Sequence, residues 1–82
     1  MILVDVYLPS VDATYDFILD ESISVEKIVF EISEMVSKKM KNDKIDYTND
    51  FFLYSMKDRK LLRKELSLHM NGIKDGDKLM LV

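Results

Sequence analysis

The 82 residues contain no cysteine, two glycines, one proline and one histidine. Without cysteine the chain has no disulfide framework, no Fe–S cluster and no thiol nucleophile. His69 alone cannot build a zinc site without several carboxylates to help it. Gly72 and Gly76 stand apart from any run that could form a glycine-rich phosphate loop. Long apolar runs are also missing, and nothing approaches the roughly 20 residues that span a bilayer. Met1 to Leu8 is apolar, yet it lacks a basic leading region and a small-residue cleavage site, and Asp5 interrupts it. That pattern predicts a strand rather than a signal peptide, and a cytoplasmic chain unless it is part of a larger protein.

What is present suits one small domain spanning residues 1–82, able to bury roughly 60 to 65% of its unfolded surface. The net charge is −3, unevenly spread. Residues 1–34 carry eight acids against one base, and residues 35–82 carry eleven bases against seven acids. A basic face could serve binding, although solvated charge runs are the commoner explanation.

Ile2, Val4, Val6 and Leu8 alternate with Leu3, Asp5 and Tyr7, which predicts a strand with its even residues on the core. Pro9 ends it. Thr14 to Asp20 alternates again, with Tyr15, Phe17 and Leu19 on one face, so the two segments form an antiparallel hairpin. The period then lengthens to about 3.6. Ser24 is the expected N-cap, Ile23 is placed to pack onto Ile28, and Val25, Ile28, Val29, Ile32 and Met35/Val36 make a stripe; the helix should run from Val25 to Lys41. Asn42 to Asp50 reads as a polar connection. Phe51 to Met56 predicts a third strand, Lys60 to Leu62 a fourth, and Lys78 to Val82 a last one with Leu79 and Leu81 inward. Between the last two, Leu66, Leu68, Met70 and Ile73 are spaced to cap the core from an irregular segment, and Gly76 in Asp75-Gly76-Asp77 suits a turn with positive φ. The expected class is α+β, with one helix packed across a mixed sheet of four to five strands and the last strand parallel beside the first.

No catalytic signature emerges. His69 reads as a structural or exposed residue, and Asp75-Gly76-Asp77 lacks the other ligands of a calcium loop. Ser55, Ser67 and Thr48 have no paired base. Lys57, Arg59, Lys60, Arg63 and Lys64 lie near Phe51, Phe52 and Tyr54, a mixture that could hold single-stranded nucleic acid. The acidic pI of about 5.0 and the need for those aromatics in a small core argue against it. Apolar residues on outward strand positions are the better candidates: Leu3 and Tyr7, Ile18, and Met80 and Val82. Such a cluster on a face normally shown to water would be a binding patch, the competing account being singly exposed apolar residues with no partner. Arg59 and Arg63 join this candidate protein-binding set. Phe30 projects away from the helix stripe, toward the long connection or another protein.

The order ββαββ resembles the β-grasp fold of ubiquitin over the whole chain. Met1 begins directly on the first strand, Ser24-Val25-x-x-Ile28-x-x-x-Ile32 matches the capped start of the ubiquitin helix, and Leu66-x-x-x-Met70-Asn71-Gly72-Ile73-x-Asp75-Gly76-Asp77-x-Leu79-x-Leu81 matches the closing segment of many ubiquitin-like domains. Within that superfamily the chain is similar to the YukD/EsaB family of bacterial type VII secretion systems, on the stretches Met56 to Lys60 and Gly72 to Leu79. Abundant Lys, Ile and Asp would suit an AT-rich Gram-positive bacterium. The resemblance implies a non-catalytic, cytoplasmic accessory or regulatory protein. Its implied partners are cytosolic regions of secretion-system membrane components, with no cofactor and no membrane insertion. Ubiquitin-like modifiers and sulfur carriers act through a tail ending in Gly-Gly, whereas Leu79-Met80-Leu81-Val82 closes this sequence, so non-covalent binding is the expectation. The alternative is a β-grasp sulfur carrier or modifier working with an activating enzyme. Homodimerisation through free edge strands stays open.

Overall fold

The computed structural model describes residues 1–40 and 51–82. The alternation of Ile2 to Leu8 becomes strand β1 (Ile2–Leu8), with Val4, Val6 and Leu8 buried. Pro9 supplies the fixed φ that opens a short 3₁₀ turn, Pro9–Val11, and Asp12 closes it in the left-handed region at φ 48°. The chain returns as β2 (Ala13–Leu19), antiparallel to β1, with Ile2 opposite Leu19 and Leu8 opposite Ala13.

Helix α1 (Val25–Met40) follows from the 3.6 period. Val25, Ile28 and Ile32 are fully buried, and Val29 and Val36 nearly so. Met35, expected to share that stripe, is 41% exposed, and Ser33 and Ser37 are buried beside Ile32 and Val36, so the buried face of the helix is turned toward the serines rather than toward Met35. The Ser24 hydroxyl accepts from the Lys27 N–H at a long 3.4 Å. Two other free helix N–H groups are held from outside: Val25 donates to the Leu66 carbonyl at 2.8 Å and Glu26 to that of Lys64 at 3.1 Å. The helix start is thus tied to the segment that precedes the last strand. Lys41, the polar connection expected over 42–50 and Thr48 lie outside the described residues.

The remaining strands are β3 (Leu53–Ser55), β4 (Lys60–Leu61) and β5 (Lys78–Leu81). All are shorter than expected, although ladder bonds extend past the ends: Phe52 and Val82 exchange N–H···O bonds of 2.7 and 2.8 Å. Sheet order is β2-β1-β5-β3-β4, with β5 parallel to β1 and antiparallel to β3. The helix covers one face, where sixteen apolar residues among those described, including Leu53, Leu68, Leu79 and Leu81, form the core.

Leu68 and Ile73 seal the open end of that core as expected, Leu66 is half-buried, and Met70 is 67% exposed. Met70 sits in a tight turn whose N–H donates to the Ser67 hydroxyl, which aims its side chain at solvent. Asn71 staples the segment. Its amide oxygen accepts from the Arg63 N–H at 2.9 Å, and its amide nitrogen donates to the carbonyls of Arg63 and Ser67. Gly76, at φ 88°, donates to the Leu3 carbonyl at 2.7 Å and so delivers β5 to the edge of β1.

Candidate interaction surface on the outer sheet face

The sheet face away from the helix is built by strict alternation. Leu3, Asp5 and Tyr7 stand out from β1, Thr14, Asp16 and Ile18 from β2, Met80 from β5, Tyr54 from β3 and Leu61 from β4. Strand register converts these into rows. Thr14, Tyr7, Met80, Tyr54 and Leu61 form one continuous line across all five strands. Beside it, Val82 pairs with Phe52, which precedes β3. On the other side, Asp16, Asp5 and Lys78 form a charged line. Beyond that line Ile18 faces Leu3.

The predicted site residues are therefore divided. Tyr7, Met80 and Val82 belong to one apolar area, and Leu3 and Ile18 to a separate corner across the Asp5/Asp16 line. Exposure at that corner is high, 43% for Leu3 and 66% for Ile18. Arg59 lies in the β3–β4 turn at φ 55°, its N–H bonded to the Ser55 carbonyl. Arg63 follows β4 and pairs with Glu65 at 3.1 Å, both side chains well exposed. Neither arginine lies in the apolar row.

The main area also contains residues that sequence reasoning assigned elsewhere or passed over: Tyr54, Leu61 and Phe52. Leu61 is 50% exposed. Four consecutive large apolar residues, Phe51 to Tyr54, give no alternation from which to read an outward phase. The buried Ser55 breaks the run, and a small polar residue between Tyr54 and Met56 is the one available signal. Phe51 packs against the core, and Phe52 lies under the Lys64 ammonium at 4.3 Å from its ring centre. Those two rings therefore do not form a free stacking platform for nucleobases.

Electrostatics order the rim. The Tyr7 hydroxyl donates to the Asp12 carboxylate at 2.8 Å, which holds the phenol above its ordinary pKa and ties the ring to the Pro9–Val11 turn. Asp77 accepts from the Lys74 N–H at 2.9 Å and from the Lys57 ammonium at 3.1 Å, and its carboxyl is held below the usual range, chiefly by the backbone bond. Asp75 accepts from the Leu3 N–H at 2.9 Å. Both carboxylates of the Asp75-Gly76-Asp77 turn are thus committed to fastening β5. Ser55 and Ser67 accept backbone N–H bonds from Asp58 and Met70, a turn-closing role, and the N–H of the exposed His69 donates to the Glu21 carbonyl. Phe30, 54% exposed, lines a groove of about 740 Å³ along α1 with Val29, Phe51 and Lys64.

No protein-family model matches the chain, and no curated protein sequence does. Solved structures do. The ubiquitin-like domain of EccD5 from Mycobacterium xenopi superposes with a TM-score of 0.78 at 20% identity, over 99% of this chain and 91% of that one. The ubiquitin-like domain of the Mycobacterium tuberculosis type VII secretion system protein ECCD1 gives 0.70 at 19% identity, over 100% and 99%. A chain of the MycP5-free ESX-5 inner membrane complex gives 0.79 at 20% identity, matching 99% of this chain and 20% of its own length. The chain has a ubiquitin-like β-grasp fold that resembles the ubiquitin-like domains of type VII secretion proteins.

Proposed function

We propose that this chain is a non-catalytic ubiquitin-like interaction module, a soluble cytoplasmic accessory or regulatory component of a type VII secretion system. It binds cytosolic regions of the membrane components non-covalently through the outer sheet face. The observation that carries the reading is the row Tyr7, Met80, Tyr54 and Leu61, with Phe52 and Val82 beside it. A one-sided sheet normally turns polar residues to water, and a contiguous apolar line there is a surface awaiting a partner. The likeness to domains of secretion proteins supports the class of partner. Among the described residues no helix is long and apolar enough to cross a membrane.

The test is affinity capture from cytosol and from detergent-solubilised membranes, with mass spectrometry of the partners and of the intact bait. Secretion-system membrane proteins recovered with a bait of unchanged mass support the reading. A covalent adduct, or an activating enzyme as the dominant partner, sinks it and favours the sulfur-carrier or modifier alternative.

A further inference from the structure

The outer face is complementary to itself. β1 and β5 run parallel and in register, Asp5 beside Lys78 and Tyr7 beside Met80. Consider a two-fold axis in the plane of that face, parallel to the strands and lying on the seam between β1 and β5. It places β1 of one copy over β5 of the other without changing the level along the strands. Asp5 then faces the second copy's Lys78, and Tyr7 faces its Met80, and each contact occurs twice. Opposite charges meet, and a thioether meets an aromatic ring. One strand outward, Thr14 comes over Tyr54.

The position of the axis is decided by charge. Moving it onto β5 itself would set Lys78 against Lys78, whereas the seam makes no like-charge contact among these rows. Sheets that pack face to face cross at about 30°, so register is best kept near the axis, where these pairs lie. Among the described residues neither Asp5 nor Lys78 forms an ion pair within its own chain.

We propose that two copies of this chain pair through their outer sheet faces about the β1–β5 seam, giving a weak isologous dimer. The inference rests on the reading of this face as a binding surface and adds its regulation. The dimer covers Tyr7, Met80 and Tyr54, so self-association and partner binding exclude one another. Five strands spaced about 4.8 Å apart offer a footprint of a few hundred Å² per copy. That is below the roughly 800 Å² per partner of a stable complex, so the dimer forms only at high concentration or where copies are gathered together.

Sedimentation equilibrium and amide NMR spectra of the 82-residue chain, from about 20 μM to about 2 mM, test this without any secretion partner, in the weak-affinity range expected of so small an interface. The expected result is a monomer–dimer equilibrium with concentration-dependent shifts on β1 and β5 around Tyr7 and Met80. Raising NaCl from about 50 to about 500 mM should weaken it at least about threefold. Asp5→Lys alone and Lys78→Asp alone each set like charges together and should weaken association at least about fivefold, and the double exchange should recover most of it. A chain monomeric at the top concentration overturns the dimer and leaves partner capture as the separate test of the face. Shifts confined to Thr14, Asp16 and Ile18, which would mark pairing by the β2 edge, also overturn it. So do insensitivity to salt, or folded single variants that associate normally, or a folded double variant that fails to recover.

Discussion

Tyr54 and Met80 are register partners on neighbouring antiparallel strands, and their side chains stand together on the open face of the sheet. With Tyr7 on the other flank of Met80, the thioether lies between two aromatic positions at the centre of the apolar row.

Met80→Asp should therefore abolish capture of membrane components, reducing affinity at least about tenfold, because a desolvated charge at the centre of an interface is costly. The side chain is not part of the core, so the thermal midpoint should move by only a few degrees. Ile18→Ser, beyond the Asp5/Asp16 line, should leave capture unchanged. Pull-down with melting curves checks all three statements, and equal losses for both variants would mean that the two apolar areas act as one site.

The strands and helix were legible because their periods are regular. Ile2 to Leu8 and Thr14 to Leu19 alternate cleanly, and the switch to the spacing of Val25, Ile28 and Ile32 marks the helix. The parallel placement of β5 beside β1 followed from their shared apolar alternation. The surface was less legible. Whether Leu3 and Tyr7 belong to one patch depends on Asp5 lying in line with Asp16 and Lys78, a register between segments more than seventy residues apart that no local pattern encodes. Tyr54 and Leu61 were hidden inside apolar runs, and Met70 was apolar yet outward because its turn, rather than its spacing, sets its direction.

Asn71 holds three backbone groups of the segment that closes the core. Asn71→Ala leaves these groups to water or unpaired, and a loss of about 2 kcal/mol is expected. Met70→Ala, next door but exposed, should cost less than about 0.5 kcal/mol. Urea unfolding of the two variants measures the contrast. A neutral Asn71→Ala would mean that Leu68 and Ile73 position this segment by packing alone.

Gly76 separates backbone preference from packing. A Cβ built there meets nothing within 4 Å, while φ is 88°. Gly76→Ala should thus be destabilising by about 1 to 2 kcal/mol through conformation alone. Amide exchange should show the opening localised to the Gly76 to Leu3 bond and the start of β5. A uniform loss of protection across the sheet would instead place the effect in global unfolding.

Asp77 gives the acid response a definite sign. Its carboxylate is stabilised in the fold by the Lys74 N–H and then by Lys57, so its folded pKa lies below the ordinary value. A depressed carboxylate contributes stability that is present above the unfolded pKa, near 3.9, and is lost as pH falls through the lower folded value. Asp77→Asn keeps an oxygen acceptor for Lys74 and loses the pairing with Lys57. At pH 7 it should cost about 1 kcal/mol, the scale of a partly exposed charge-assisted hydrogen bond. Below pH 4 that gap should close, since the native carboxylate is then being protonated and the variant has nothing further to lose at this position. Some acid sensitivity remains in the variant, because Glu21, held by the N-terminal amine at 2.8 Å, is depressed as well. Urea midpoints of both proteins at pH 7, 4 and 3 decide the matter. Curves that stay parallel to the lowest pH would show that Asp77 is not a source of the acid response, and converging curves would assign it to the turn that fastens β5 to β1.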